Sequence, residues 1–306
     1  MKLNKIYNMD CLEGLKLIPD NDVDLIVTDP PYNIGKDFKN ENLSKEDYLQ
    51  WCSSWIPELN RVLKYRGAIY ITLGWQYVAE IKILFNELSN LRLKNWLVWY
   101  RQDGWKGDKG FAHSHEHILY FIKDTMSKER LLEFRSWLNE ARIKKGYSLS
   151  DINKEFNWAI TGGGCASGYM GNKQDMQIPS PHHFKQLKEL LNLDNSFDIL
   201  VGEEKYIKFN KTDVCDDVWL TPKSEKVRLG HPTQKPLKLF QRIIKASSNE
   251  KDLVLDPFMG SGTTAWACKS LNRNFIGFEI DQTYVDIINN RLKQENLLSF
   301  TISEES

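Results

Sequence analysis

The stretch Val23-Asp24-Leu25-Ile26-Val27-Thr28-Asp29-Pro30-Pro31-Tyr32-Asn33 constrains this chain more than any other. A short β-branched and aliphatic run reads as a buried strand, and it stops at Asp29 against two prolines and an aromatic. Neither proline nitrogen can donate a hydrogen bond, and each ring fixes its own φ at about −65°. A residue that precedes proline is pushed towards extended backbone. The result is a stiff corner at the C-terminal edge of a strand, the edge where open α/β sheets bind ligands. It presents a carboxylate, an unpaired carbonyl and an aromatic face in fixed relation. That set suits a flat heterocycle with an exocyclic amine: Asp29 and the Pro30 carbonyl accept from the NH2 group while Tyr32 stacks on the ring. Two acceptors that favour a tetrahedral nitrogen localise its lone pair and steady the positive charge that develops during attack. A plain turn after a strand is the competing reading of Asp-Pro-Pro, and only a second motif can separate the two.

The chain around this corner alternates strands and helices. Ile6 to Asp10 reads as a short strand ending in an acid, and a helix follows from Cys11 with Leu12, Leu15 and Ile18 on one face. Ser44 with Asp47 resembles a capping box that opens a helix to about Leu63. Gly67 to Thr72 is a strand, and Tyr77 to Leu88 a helix with Ile81, Leu84 and Leu88 inward. Asn95 to Arg101 and His117 to Ile122 read as two more strands. Such alternation predicts a mostly parallel sheet covered on both faces. Gln102 to Ala112, rich in Gly, Asp and Lys, reads as a mobile loop. His113, His115 and His117 flank Glu116, and strand alternation puts the three imidazoles on one face. No further ligand cluster accompanies them, so no metal site is assigned; a strand end that contacts substrate or sheet is the preferred reading.

From about Ser127 to Asn210 the character changes. Leu131, Phe134, Trp137, Leu138 and Ala141 mark an amphipathic helix, and Ser148 to Phe156 a second, shorter one. A Gly-rich run, Thr161 to Gly171, comes next, and Pro181 opens another helix with Phe184, Leu187, Leu190 and Leu191 inward. The first two helices resemble a helix-turn-helix, although the glycine run falls where a recognition helix would be.

The last third returns to α/β. Asp252 to Phe258 forms a buried strand, Met259-Gly260-Ser261-Gly262-Thr263-Thr264 turns into a helix through Cys268, and Asn274 to Ile280 is a strand reaching Glu279. Asp281 caps a final helix. Strand, glycine turn, helix, strand, acid is the dinucleotide-type arrangement, in which glycines admit close backbone approach and the acid bonds ribose hydroxyls. The turn here is Phe-x-Gly-x-Gly rather than Gly-x-Gly-x-x-Gly, which weakens a pyrophosphate reading. A nucleoside with an amino-acid tail fits better, and with Asp256 before the turn and Glu279 after it the pattern points to S-adenosyl-L-methionine.

With both halves in view, the sequence resembles the β-class amino-group DNA methyltransferases, which place the catalytic motif first, target recognition next and the cofactor motif last. Asp29-Pro30-Pro31-Tyr32 matches their catalytic motif, Asp256-Pro257-Phe258-Met259-Gly260-Ser261-Gly262-Thr263 their cofactor loop, and His231-Pro232-Thr233-Gln234-Lys235-Pro236 the segment preceding that loop. The resemblance implies a doubly wound, mostly parallel, seven-stranded sheet with one antiparallel strand, circularly permuted and carrying a small helical insertion. It implies residues 1–126 as the catalytic half, 127–210 as a target-recognition insertion and 211–306 as the cofactor half. Asp29, Pro30, Pro31 and Tyr32 then hold the target amine. Glu279 holds the cofactor ribose, Phe258 and Ile280 flank its adenine, and Asp10 and Cys11 meet the adenine edge. Asp256, Gly260, Gly262 and Thr263 belong to the loop that passes the methionine tail, aided by Thr233, Gln234 and Lys235. Lys235 also has a physical case of its own as a partner for the cofactor carboxylate.

Adenine N6 in double-stranded DNA is the implied target, since Asp rather than Ser before the Pro-Pro-Tyr favours adenine over cytosine N4. Cytosine N4, an RNA or protein-amide target, and a DNA-binding regulator with an inactive core remain the alternatives. Dimerisation and a cognate restriction endonuclease are partners the resemblance admits and no stretch establishes. Lys+Arg and Asp+Glu are 41 each, so overall charge does not advertise a nucleic-acid partner. The five cysteines form no CxxC pair, which points to a reducing compartment. No signal-peptide pattern and no apolar run near the roughly 20 residues of a membrane span is present, so the expectation is a cytoplasmic protein without membrane contact.

Overall fold

A computed structural model describes residues 1–36, 40–105, 111, 113–123, 128–158, 164–171, 178–197, 217–220 and 234–293. The chain forms two compact units, Met1–Asp124 with Lys205–Ser306, and Thr125–Glu204.

The first unit is built on a sheet of strands β1 (Lys5–Asn8), β2 (Val23–Thr28), β3 (Leu63–Leu73), β4 (Arg92–Trp105), β5 (His113–Ile122), β6 (Val218–Leu220), β7 (Leu253–Asp256) and β8 (Asn274–Glu279). Their order is β1-β8-β7-β2-β3-β5-β4-β6. All pairs are parallel except the two made by β5, so β5 is the single antiparallel strand, as expected. The described sheet has eight strands rather than seven. The addition is β6, three residues beside β4, too short for alternation to reveal. β4 also runs to Trp105, past a register irregularity after Tyr100, so the loop expected from Gln102 does not begin there. Residues 106–110 and 112 of that loop lie outside the described residues.

Helices α1 (Cys11–Lys16), α2 (Lys45–Val62) and α3 (Val78–Leu88) cover one face. Leu15, Trp55, Ile56, Leu59, Ile81 and Phe85 pack there on Ile26, Ile69, Leu255 and Phe278. Ser44 caps α2 by accepting from the Asp47 amide at 3.1 Å. In α3 the inward positions are Val78, Ile81 and Phe85, with Phe85 stacked on Phe121 at 4.4 Å, while Leu88, the last residue of the helix, is exposed. Leu25, Val27, Tyr70 and Val254, the alternate strand positions, pack on the opposite face with Leu239, Phe240 and Ile243 of α8 (Leu237–Ser247) and Ala265 of α9 (Thr263–Ser270). Ile288 of α10 (Gln282–Lys293) closes that layer.

From the β7–β2 pair the chain winds outward both ways, β2 through α2 to β3 and β7 through α9 to β8. A switch point of this kind leaves a crevice at the strand C-termini. The registers Leu25↔Val254 and Ile26↔Leu255 carry Asp29 and Asp256 off adjacent strands into that crevice.

The second unit holds α4 (Lys128–Lys144), α5 (Leu149–Glu155), α6 (Gly164–Met170) and α7 (Pro181–Leu191). Ser148 and Asp151 form a full capping box on α5. The Gly-rich run Thr161 to Gly171 contains α6. Asn153 of α5 accepts from the Ala166 amide at 3.1 Å, a tertiary contact that overrides the low helix propensity of the sequence.

Candidate active site

The Asp-Pro-Pro-Tyr corner is fixed from behind. The buried Glu41 accepts from the amides of Tyr32 at 2.8 Å and Ile34 at 2.6 Å. Tyr48 donates its hydroxyl to the Pro31 carbonyl at 2.7 Å, so Pro30 offers the carbonyl left for a ligand. Asn33, at φ 57°, ties the far end to Leu43 through two hydrogen bonds of 3.0 and 2.9 Å.

Asp29 sits among three donors. Its Oδ1 accepts from the Tyr32 hydroxyl at 2.6 Å and from Thr72 Oγ1 of β3. Its Oδ2 lies 2.8 Å from Lys235 Nζ. Lys235 also reaches Glu116 Oε2 at 3.2 Å, and the other Glu116 oxygen meets Arg101 Nη1 at 3.0 Å. The Tyr32 hydroxyl is 3.0 Å from Glu116 Oε2, so its one proton serves two carboxylates. Burial pushes the Glu116 pKa up, but Lys235 and Arg101 outweigh it and hold the carboxyl below the ordinary value. Burial likewise works against the Lys235 ammonium, which Asp29 and Glu116 nevertheless keep above the usual lysine pKa. Tyr32 is raised well above a free phenol by burial and by the charges of Asp29 and Glu116.

Across the crevice, no cation pairs with Asp256 or Glu279 among the described residues. Asp256 Oδ1 accepts from Thr28 Oγ1 at 2.9 Å and from the Phe258 amide at 3.0 Å, and its Oδ2 accepts from Thr264 Oγ1 at 2.5 Å. Burial pushes this carboxyl up to about 7 despite those donors. Glu279 accepts from the Gly260 amide at 2.8 Å and the Asp281 amide at 2.9 Å, and burial raises its pKa too. Glu279 keeps lone-pair capacity for a ligand hydroxyl. Gly260 and Gly262 have φ of 52° and 77°, and a Cβ on Gly262 would come within 2.6 Å of Ile288, so the turn cannot take another residue there without a shift.

A single cleft of about 750 Å³ brings Asp29, Pro30, Pro31 and Tyr32 together with Asp10, Cys11, Phe258, Gly260, Glu279 and Ile280. Gln234, Lys235, Asp256 and Thr263 line it as well. Its size lies within the roughly 300–1,000 Å³ of small-molecule sites. Gly262 stands behind the lining against Ile288, and Thr233 lies outside the described residues. Asp10 spends one oxygen on the Leu12 amide as the cap of α1, at 2.9 Å. Glu116, Arg101 and Thr72 were not singled out as site residues in the sequence. The histidine alternation held the clue for Glu116: putting the imidazoles on one face of β5 turns Glu116 to the other. His113 stacks on Trp75 at 5.0 Å and His117 accepts from Trp96 Nε1 at 3.0 Å.

A family model described as DNA methylase matches residues 23–290. The type II methyltransferase M.HpaI of Haemophilus parainfluenzae is 31% identical over 288 residues, covering 94% of this chain and 73% of that protein. The DNA adenine methyltransferase YhdJ of Escherichia coli strain K12 is 31% identical over 286 residues, covering 92% and 79%. Among solved structures, the cytosine-N4-specific PvuII DNA methyltransferase superposes with a TM-score of 0.59 at 17% identity, covering 95% of this chain and 87% of that one. The complex of M1.HpyAVI with S-adenosylmethionine gives 0.53 at 22% identity, covering 94% and 98%. At these identities the structural likeness is one of fold.

Proposed function

The chain belongs to the DNA methylase family, and from that premise we propose that it transfers a methyl group from S-adenosyl-L-methionine to N6 of adenine in double-stranded DNA. The observation that carries this reading is the pairing of β2 with β7, which sets the Asp-Pro-Pro-Tyr corner beside a glycine turn backed by Glu279. The lining suits the donor: Glu279 has lone pairs for ribose hydroxyls, and Phe258 and Ile280 offer apolar walls for a purine. Bound there, S-adenosyl-L-methionine supplies an electrophilic methyl on a sulfonium. The chain's own residues do the rest. Asp29 and the Pro30 carbonyl accept from the target amine and steady the charge on its nitrogen as the bond to carbon forms. The proton shed by the methylated amine passes to the Asp29 carboxylate. Nothing in this direct displacement calls for a covalent enzyme intermediate.

A base within a duplex cannot reach the corner and is rotated out, at a cost of roughly a few kcal/mol. Stacking on Tyr32 returns about 1–3 kcal/mol of this. Asp at position 29, together with the adenine specificity named for the relative YhdJ, supports adenine over cytosine. The helical region 127–210 is the proposed reader of the DNA sequence, and the restriction–modification setting of the type II relatives is the proposed biological context.

The test is to incubate the protein with S-adenosyl-L-methionine and duplex DNA, RNA or a mixed protein substrate in parallel, then digest and identify the modified residue by mass. N6-methyladenine from duplex DNA is expected. N4-methylcytosine would replace the adenine reading, and methylation confined to RNA or protein would remove the DNA substrate altogether. Exchange of residues 127–210 with those of a relative should change the methylated word; an unaltered word excludes that region as the reader.

A further inference from the structure

The side chain of Lys235 is 7% exposed and spans two carboxylates rather than facing the cofactor turn alone. Its ammonium also lies 4.9 Å from the centre of the Tyr32 ring. With Arg101 behind Glu116, the cluster holds two anions and two cations within one buried volume. We propose that Lys235 and Glu116 are positioning residues for methyl transfer: Lys235 sets the angle of the Asp29 carboxylate, and Glu116 sets the Tyr32 ring through its hydroxyl. This rests on the reading of Asp29 as acceptor for the target amine.

Three physical points carry it. A carboxylate offers about four lone-pair positions, and Tyr32, Thr72 and Lys235 occupy three on Asp29; the remaining one has a fixed direction. Asp29 and Glu116 converge on the same tyrosine hydroxyl, an approach their like charges oppose unless the ammonium stays between them. Tyr32 can serve as a stacking platform only if its ring plane is held, and Glu116 supplies a second anchor for its hydroxyl. Lys235 is in turn tied to the cofactor turn, because its carbonyl accepts from Thr263 Oγ1 at 3.2 Å. One residue therefore joins the two sides of the cleft.

The experiment uses the full chain, tritiated S-adenosyl-L-methionine and genomic DNA from a methylation-deficient bacterium. It reads the cofactor dissociation constant by calorimetry and the transfer rate in a single turnover at saturating cofactor. Misplacing reacting groups by about 1 Å costs on the order of 100-fold, so Lys235→Met and Glu116→Gln should each slow transfer by about that factor with cofactor affinity unchanged. Lys235→Arg, which restores a cation, should recover most of the rate. Weakened cofactor binding with an unchanged saturated rate would return Lys235 to the cofactor carboxylate and overturn the proposal. So would rates that none of the substitutions moves, or an arginine variant as slow as the methionine one. If Lys235→Met fails to fold by circular dichroism, Glu116→Gln and Lys235→Arg decide. Wild-type protein that binds cofactor yet never labels DNA would defeat the reading of the activity itself, and this shows before any variant is made.

Discussion

On the β2 side of the cleft Glu116 is buried against Lys235 and Arg101, whereas on the β7 side Asp256 and Glu279 are buried among hydroxyls and backbone amides. The same chemical group therefore shifts in opposite directions: Glu116 below its ordinary pKa, Asp256 and Glu279 above theirs. Neutral donors stabilise a carboxylate less than cations do, and they leave desolvation in charge. The difference matches the work each side is given. On the β2 side cations hold the carboxylate cluster around the Asp-Pro-Pro-Tyr corner, while on the β7 side hydrogen bonds alone hold Asp256 as a brace and Glu279 for its proposed ribose.

The sharpest way to break this comparison is to remove Asp29. Asp29→Ala should lower the transfer rate by on the order of 100- to 1,000-fold, the scale for loss of one preorganised electrostatic group, with the cofactor dissociation constant little changed. Equal loss of both would show that the two sides are one site energetically. Glu279→Ala should do the reverse. Loss of a charged hydrogen-bonding group costs about 1.5–3 kcal/mol, so cofactor affinity should fall by roughly 10- to 100-fold in calorimetry. An unchanged constant would take the ribose role away from Glu279.

Most of the frame behind these assignments is legible in residue order. Proline after Asp29 and the Gly260–Gly262 turn fix local backbone by covalent geometry, and covalent geometry reads directly from sequence. The apolar runs in β2 and β7 announce buried strands, but their pairing is a tertiary fact that no local pattern carries. What stayed hidden has a common cause. Glu116 acts through Lys235, more than a hundred residues further along the chain, and Arg101 acts through Glu116, so beyond the histidine alternation on β5 no local pattern marks either. β6 is too short to show a period, and α6 forms where Asn153 of another helix holds an amide that glycine-rich sequence alone would leave in a loop. Lys235 shows the same limit from the other side: its charge predicted an anionic partner, and the structure supplies two, Asp29 and Glu116.

A finer test of the comparison titrates the brace. Burial raises the folded Asp256 carboxyl to about 7 from its ordinary 3.8. Between those pH values the folded state binds a proton that the unfolded chain has lost, so its contribution to stability is full below about pH 4 and declines as pH rises to about 7. The scale is on the order of a few kcal/mol. Asp256→Asn mimics the protonated acid: its oxygen can accept from Thr28 and Phe258, and its NH2 can donate to a reoriented Thr264 hydroxyl. Denaturant melts of wild type and variant should therefore diverge progressively from pH 4 to 7, with wild type the less stable at the upper end. A constant difference across that window would mean that Asp256 is ionised throughout and that the two sides of the cleft are electrostatically alike.

The smallest expected effect concerns the one hydroxyl that links the two strands directly. Thr28 immediately precedes Asp29 and donates to Asp256 Oδ1 at 2.9 Å from a fully buried position. Thr28→Val keeps the shape and removes that donor, while Phe258 and Thr264 continue to hold Asp256. The loss should be about 1 kcal/mol in a denaturant melt, and the Asp256 pKa should rise further because one of the donors opposing desolvation is gone. Transfer rate and cofactor affinity should stay near wild type, since neither Asp29 nor Glu279 loses a partner. A rate defect comparable to that of Asp29→Ala would instead place the hydroxyl of Thr28 in control of the corner, and the brace would then belong to the β2 side of the cleft as much as to the β7 side.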